Sequence, residues 1–260
     1  WTRLQSRLGR MSGSRQSLYR PLGQRSRIGA LCLALACASN VVGADHGPET
    51  FASAHTSVVI VEPTWLGYNR PGFGAPAGSA PAGSGGYFGS GGTSHYLITA
   101  AHVVTRATRV EIVLADGTRQ DAEIVAVDPA RDVAVLKSEL AAQPITFSSE
   151  DPPVGLHACA IGNSFGLGLS FSCGVVSAVH RRDVGFNAIE DFVQTDAAVN
   201  PGASGGALVD PQGHLIGLID GIFTKEADID AGVNFAISVP LLRQSLRALR
   251  IREPDIPSLK

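Results

Sequence analysis

"NPGASGGALVDPQGHLIGLI", residues 200–219, sets Ser204 among glycine and alanine and then runs directly into apolar residues. A serine hydroxyl is a weak nucleophile at neutral pH and needs a neighbouring base. Glycines beside it let a substrate approach the main chain closely, and they let N–H groups turn inward to meet a developing oxyanion. The pattern Gly202-Ala203-Ser204-Gly205-Gly206 fits two arrangements. In one, the serine joins a strand to a helix, and an aspartate and then a histidine follow it. In the other it precedes a strand, and a histidine and then an aspartate lie upstream. Two β-like runs around the turn "DPQG" (210–213) follow Ser204, without a helical pattern, and the only later histidine is His214, ten residues on. The second arrangement fits.

The rest of the chain has the same texture. Short runs rich in Val and Ile recur, among them 57–61, 95–99, 108–114, 122–127 and 132–137, then 157–161, 170–179, 191–195, 206–210, 214–219 and 233–237. Turn signals such as Asp116-Gly117 and Asp128-Pro129 separate them. This predicts an all-β chain of barrels or a sandwich. A helical pattern comes only at the end, where Ser238 can cap, Pro240 can open, and Leu242, Leu246 and Leu249 share a face. Residues 66–94 are dominated by Gly, Pro, Ala and Ser and read as a long mobile loop.

The overall net charge of −2 conceals an asymmetry. Seven of the 21 Lys and Arg lie in residues 1–44, which hold no acid, so the other 14 face 23 acidic residues, a net of −9. An acidic body argues against nucleic acid as partner, because phosphate binding needs a basic face. The basic front has a simpler reading. Arg25 and Arg27 precede 17 uncharged residues, 28–44, that end in small side chains, which is the pattern of a secretory leader. An anchoring span and lipidation at Cys37 are the rival readings. Removal of 1–44 leaves Cys159 and Cys173, on either side of the "GNSFGLG" turn, where an oxidising compartment would permit a bridge. Two buried, unbridged thiols are the alternative. His95 and His102 have no cysteine or carboxylate beside them to complete a metal set, so neither a metal nor a cofactor is expected.

Among seven histidines, His102 in "LITAAHVV" (97–104) comes where an apolar strand ends in small residues. Asp132 opens "DVAVLK" (132–137), a charge at the lip of an apolar strand, placed to accept Nδ1–H of an imidazole in a sheltered site. In the "GAS" turn, the N–H groups of Gly202 and Ser204 are the natural oxyanion donors. The segments "LITAAHVV", "DVAVLK", "AIGNSFGLG", "GVVSAV", "QTDAAVNPGASGGAL" and "GVNFAI" resemble, in order, the signatures of the HtrA/Deg family of trypsin-like serine proteases.

The resemblance covers roughly 55–245, the protease domain only, with no peptide-binding PDZ domain. It implies two six-stranded antiparallel β-barrels with the site between them and a short C-terminal helix. The expected division is a leader at 1–44, a first barrel at 45–145, a second at 146–238, and a helix and tail at 239–260. By position it makes His102 the general base, Asp132 its orienting partner and Ser204 the nucleophile, with Gly202 and Ser204 as oxyanion donors. It also implies that "DAAVNPG" orders to form the oxyanion hole, and that a trimer is the family's usual assembly. The pocket for the residue before the cut is expected from Ile219, Asp220, Gly221 and Asn234. Asp220 is the only acid there, and a preference for small or medium aliphatic side chains is expected. The expected function is an exported, periplasmic or secreted endopeptidase for unfolded or damaged polypeptides, with no stable membrane span once the leader is gone. The rivals are a low-turnover peptide-binding or chaperone-like protein on the same fold, and an α/β-hydrolase esterase.

Overall fold

Both faces of the strands that meet at the centre of this protein are apolar, and that decides how the chain is arranged. The computed structural model describes residues 47–65, 82–91, 94–222 and 232–251. The chain enters by a helix, α1 (Gly47–Ala54), followed by β1 (Val58–Thr64), β2 (Gly83–Gly91) and β3 (Ser94–Ala100). One helical turn, α2 (Ala101–Val104), leads to β4 (Arg109–Val113), β5 (Arg119–Asp128) and β6 (Val133–Ser138). The second half contains β7 (His157–Gly162), β8 (Ser170–Arg181), β9 (Phe192–Thr195), β10 (Ala207–Val209), β11 (Leu215–Ile222) and β12 (Asn234–Ser238), closed by α3 (Val239–Ala248). The strands form two closed six-stranded antiparallel barrels, in the orders β1-β2-β3-β6-β5-β4 and β10-β11-β12-β9-β8-β7. Closure leaves no free sheet edge.

Successive residues on a strand point to opposite faces, and three buried clusters follow from that alternation. Leu97, Ala134 and Leu136 fill the first barrel, with Val59, Tyr87 and Ile112. Ala158, Ala160, Leu208 and Ile216 fill the second. Their neighbours in sequence (Ile98, Val133, Val135, Ile161, Val209) face outward into a third cluster that joins the barrels and also takes Phe147, Phe192 and Phe235. Strands buried on both faces carry apolar residues without a gap, which is why "DVAVLK" and "HACAI" read as continuous runs. α3 seals this cluster with Leu241, Leu242 and Leu246. Its cap forms as the sequence predicts, with Ser238 Oγ accepting the N–H of Leu241 at 3.3 Å.

One expectation is overturned. Residues 83–91, "GSGGYFGSG", form β2 and not part of a loop: the strand pairs with β1 on one side and β3 on the other. Tyr87 and Phe88 are both fully buried, one inside the barrel and one in the joining cluster. The glycines are there because the strand is crowded. A Cβ at Gly85 would press on Val61 and the carbonyl of Ile98, and one at Gly83 would strike Val103. Residues 66–81, 92 and 93 of the expected loop, the leader, the tail after 251 and residues 223–231 lie outside the described residues. α1 was also not anticipated, since eight residues carry little periodicity; Thr50 Oγ1 ties it to the carbonyl of Pro211 at 2.8 Å.

Cys159 and Cys173 sit opposite one another in the β7–β8 ladder and their sulfurs are joined. Among the described residues, no helix is long and apolar enough to cross a membrane.

Candidate active site

Asp132 immediately precedes β6 and has φ +55°, a left-handed conformation that aspartate tolerates better than most residues. That turn aims its groups at α2. Its carbonyl accepts the N–H of Ala101 at 3.0 Å, Oδ1 accepts the N–H of His102 at 2.8 Å, and Oδ2 meets His102 Nδ1 at 2.6 Å. The imidazole is thereby fixed at both its backbone and its ring. Asp132 is 7% exposed, whereas the His102 side chain is 53% exposed and opens to the cleft. Burial pushes the Asp132 carboxyl up, but hydrogen bonds from His102 and Asp220 and the attraction of His102 outweigh it, so the group lies below the ordinary aspartate value. An ionised carboxylate offers only lone pairs. Nδ1 therefore carries the proton of the neutral ring, and Nε2 keeps a lone pair directed away from Asp132.

Ser204 lies in the turn between β9 and β10, held by the opposite barrel. The N–H of Ser84, on β2, donates to the carbonyl of Ser204 at 2.8 Å, and Ser84 Oγ donates to the carbonyl of Gly202 at 2.8 Å. Ser84 Oγ in turn accepts the N–H of Asn163 at 2.8 Å, and Thr99 Oγ1 donates to the Ser84 carbonyl at 2.6 Å. Gly202 has φ +100° and Gly205 φ +83°. A Cβ at Gly202 would collide with the carbonyl of Asn163, and one at Gly205 with the carbonyl of Ser84. Both positions thus need glycine for shape and for conformation. Among the described residues, the N–H groups of Gly202 and Ser204 donate to nothing, while the flanking N–H groups of Ala203 and Gly205 are taken up by Asn200 and Ile219 at 3.0 and 2.7 Å.

The Ser204 hydroxyl does not bond to His102. It donates instead to the main-chain carbonyl of Asp220, on β11, at 3.1 Å. The Asp220 side chain turns the other way: an oxygen of its carboxyl, one of Asp132 and a ring nitrogen of His102 all lie within 4.8 Å of one another. Asn187 Nδ2 donates to Asp220 Oδ2 at 2.8 Å. Burial, and then the hydrogen bond and charge of Asp132, push the Asp220 carboxyl up to about 9. Behind Asn187, the Glu190 carboxylate accepts the N–H groups of Val184, Gly185, Phe186 and Asn187 at 2.7–3.0 Å. Burial raises the Glu190 carboxyl, but these four donors outweigh it and the group lies below the ordinary glutamate value.

A cleft of about 770 Å³ opens beside these groups, lined by His102, Asp132, Asp220 and Gly221 together with Phe186 and Arg106. Of the four residues expected to bind substrate, Asp220 and Gly221 line it. Ile219 and Asn234 are interior, Ile219 in the core of the second barrel and Asn234 donating to the carbonyl of Ala197 at 2.9 Å. Nothing in the sequence flagged Ser84, Asn163, Asn187 or Glu190; the partners of Ser84 Oγ lie 79 and 118 residues away, and the Asn187 side chain bonds to Asp220 across 33. Among the described residues, two trios bring metal-binding atom types together. In His157-Cys159-Cys173 the sulfurs are in the disulfide and are not thiolates. In His102-Asp132-Asp220 the ring nitrogen and both Asp132 oxygens already hold hydrogen bonds.

A paired His and Asp on one barrel and a glycine-flanked serine on the other, beside two N–H groups that donate to nothing among the described residues, define a class of protein. The chain belongs to the trypsin-like peptidase domain family, which matches residues 83–218. Within that family it is an HtrA/Deg-type domain. It is similar to the periplasmic serine endoprotease DegP of Escherichia coli K12, 39% identical over 145 residues, 55% of this chain and 30% of that protein. A probable periplasmic DegP-like serine endoprotease of Chlamydia trachomatis is 41% identical over 144 residues, 55% of this chain and 29% of that protein. Among solved structures, the HtrA-type protease AlgW with a tripeptide superposes with a TM-score of 0.70 and 35% identity, covering 80% of this chain and 64% of that one. The chain spans about a third of the length of the curated relatives it matches.

Proposed function

We propose that this chain is the proteolytic domain of an exported serine endopeptidase that cleaves unfolded or damaged polypeptides. The observation that carries the reading is the double clamp of Asp132 on His102, which leaves Nε2 as a base facing the cleft. In the reaction, Ser204 Oγ attacks the scissile carbonyl carbon while His102 Nε2 takes the hydroxyl proton. The carbonyl oxygen becomes an oxyanion held by the N–H groups of Gly202 and Ser204. The imidazolium, stabilised by Asp132, returns its proton to the leaving amine as the C–N bond breaks. Water then attacks the acyl-enzyme, with His102 again as base, and Ser204 is regenerated. Before the first step the Ser204 hydroxyl leaves the Asp220 carbonyl, a single side-chain rotation between staggered wells.

DegP and AlgW are named for proteolysis, and the relatives' periplasmic description agrees with the leader-like pattern of residues 1–44. The substrate is a polypeptide by the same reasoning, and a trimer is the family's usual assembly. Asp220 is hydrogen-bonded and carries a raised pKa, so it gives no fixed anion for a lysine or arginine side chain. Small or medium aliphatic residues before the cut fit that.

A second reading, a peptide-binding protein of low turnover, is favoured by one observation: the hydroxyl rests on Asp220 and not on His102. A fluorophosphonate probe separates the two. Labelling that disappears in Ser204→Ala, with peptide products from an unfolded protein, is the expected result. A folded wild-type chain that takes no label from pH ~6 to ~9 would sink the enzymatic reading.

A further inference from the structure

Asp220 is 5% exposed, and its carboxyl has no role in the proton transfers just described. One of its oxygens lies within 4.8 Å of an oxygen of Asp132, the one carboxylate those transfers depend on. Hydrogen-bond accounting decides how two carboxyls can touch there. Both Asp132 oxygens accept from His102, Oδ1 from the backbone and Oδ2 from Nδ1. Asp132 therefore has lone pairs and no proton to give. Any further partner must be a donor. Asp220 Oδ2 is itself an acceptor, from Asn187 Nδ2 at 2.8 Å, so the proton belongs on its other oxygen.

We infer that Asp220 is a positioning residue: its protonated carboxyl donates a hydrogen bond to ionised Asp132 and holds that carboxylate against His102. The inference rests on the reading of His102, Asp132 and Ser204 as the triad, and deepens it. One residue then organises both halves of the site, since the Asp220 carbonyl parks the Ser204 hydroxyl while its carboxyl steadies the Asp132–His102 pair.

The surroundings favour one shared proton. Among the described residues, His102 approaches from α2, Asp132 from the head of β6, and Glu190 acts from the segment before β9, where its charge disfavours a second anion. Arg106, just after α2, lines the same cleft, with its guanidinium 5.9 Å from the centroid of the Trp65 ring. Two buried carboxylates side by side repel one another, so the second proton is retained well above the usual range. Loss of that proton at alkaline pH removes the donor, adds a charge, and releases Asp132 from His102.

Two measurements test this. First, kcat/KM is followed against pH on a fluorescein-labelled, reduced and carboxymethylated protein, for wild type and for Asp220→Asn, Asp220→Ser and Asp220→Ala. Without a donor, Asp220→Ala is expected to lose roughly ten- to a hundredfold at neutral pH, with Ser and Asn, which keep a donor, recovering most of it. Wild type is expected to lose activity as pH rises through about 9, and Asp220→Asn to lack that limb. An identical alkaline limb in both, or an Asp220→Ala variant as active as Asp220→Ser, would overturn the inference.

Second, the carboxyl carbons of aspartate are titrated by ¹³C NMR in the full chain carrying Ser204→Ala, which needs no turnover. One signal is expected to remain protonated through neutral pH and to vanish when Asp220→Asn is added. If every aspartate is ionised at neutral pH, the inference is wrong. Should wild type prove inactive, with Ser204→Ala indistinguishable from it, the protease reading fails, and the NMR titration still decides the carboxyl pair.

Discussion

The hydroxyl of Ser204 and the carbonyl of Asp220 are hydrogen-bonded at 3.1 Å, although Ser204 lies in the turn before β10 and Asp220 on β11. This bond holds the hydroxyl of the proposed nucleophile. Substituting Ser204 by Ala should therefore cost little stability, about 0.5–1.5 kcal/mol, while abolishing turnover. His102→Ala should abolish it as well, and the double variant should lose no more than the worse single one, because the residues act as a unit. Progress curves on an unfolded substrate, with thermal melts of the same samples, check both statements.

The turn at Gly202 has no room for a side chain. Gly202→Ala places a Cβ on the Asn163 carbonyl at φ +100°. Strain of this kind costs about 1–3 kcal/mol, and displacing the Gly202 N–H, a proposed oxyanion donor, should lower kcat by about 10²–10³-fold. The expected outcome is a melting temperature reduced by a few degrees and a far larger fall in kcat than in substrate affinity.

Stability should depend on pH through the carboxyl pair. Asp220 has a folded value of about 9 against an ordinary 3.8, so between those limits the folded state holds a proton that the unfolded chain has lost. Stability is full below the unfolded value and falls as pH rises, with a slope near 1.4 kcal/mol per pH unit for one proton. Asp132 has the opposite sign: its value is depressed, so its contribution is present above 3.8 and is lost as pH falls through the folded value. Denaturant midpoints measured across this range should decline for wild type toward pH 9 and stay flat for Asp220→Asn. A wild-type curve that is also flat would contradict the raised value.

Reduction of the Cys159–Cys173 bridge should weaken the second barrel. The sequence separation is 14, and closing a loop of that size is worth about 3 kcal/mol in the chain-entropy account. Cys173→Ser is the milder probe, since Cys159 is fully buried. Melting with and without reductant should separate wild type from this variant only in the oxidised state.

Glu190 should matter to activity without touching a reacting atom. Its carboxylate gathers four N–H groups of residues 184–187, and through Asn187 it steadies Asp220. Glu190→Ala should lower kcat/KM by roughly tenfold, since hydrogen bonds to a charged group are each worth about 1.5–3 kcal/mol. Glu190→Gln, with one acceptor oxygen, should lie between. Activity assays at a pH well above the glutamate range check the order.

The architecture was legible in the chain because its strands carry two local signals. Apolar runs at "DVAVLK" and "HACAI" announce strands buried on both faces, and Asp-Gly and Asp-Pro turns separate them. β2 was hidden because its glycines serve a crowded interface, whereas composition alone equates glycine with loops. The residues that support the serine turn were hidden for a related reason. Ser84 bonds to Gly202 across 118 residues, and no local pattern records such a pairing.

The sequence by itself determined the chemistry available, that is, a glycine-flanked hydroxyl with an imidazole and a carboxylate upstream in the order an acyl-transfer site requires. It determined the strand texture as well, because β-branched runs and turn residues act locally. Only the tertiary structure decided which groups meet: Asp132 grips His102 twice, Ser204 turns to Asp220, and Ser84 binds one barrel to the other. Those pairings depend on barrel closure and register, which place residues from separate strands within a few ångströms, and hydrogen bonding then selects among the neighbours so created.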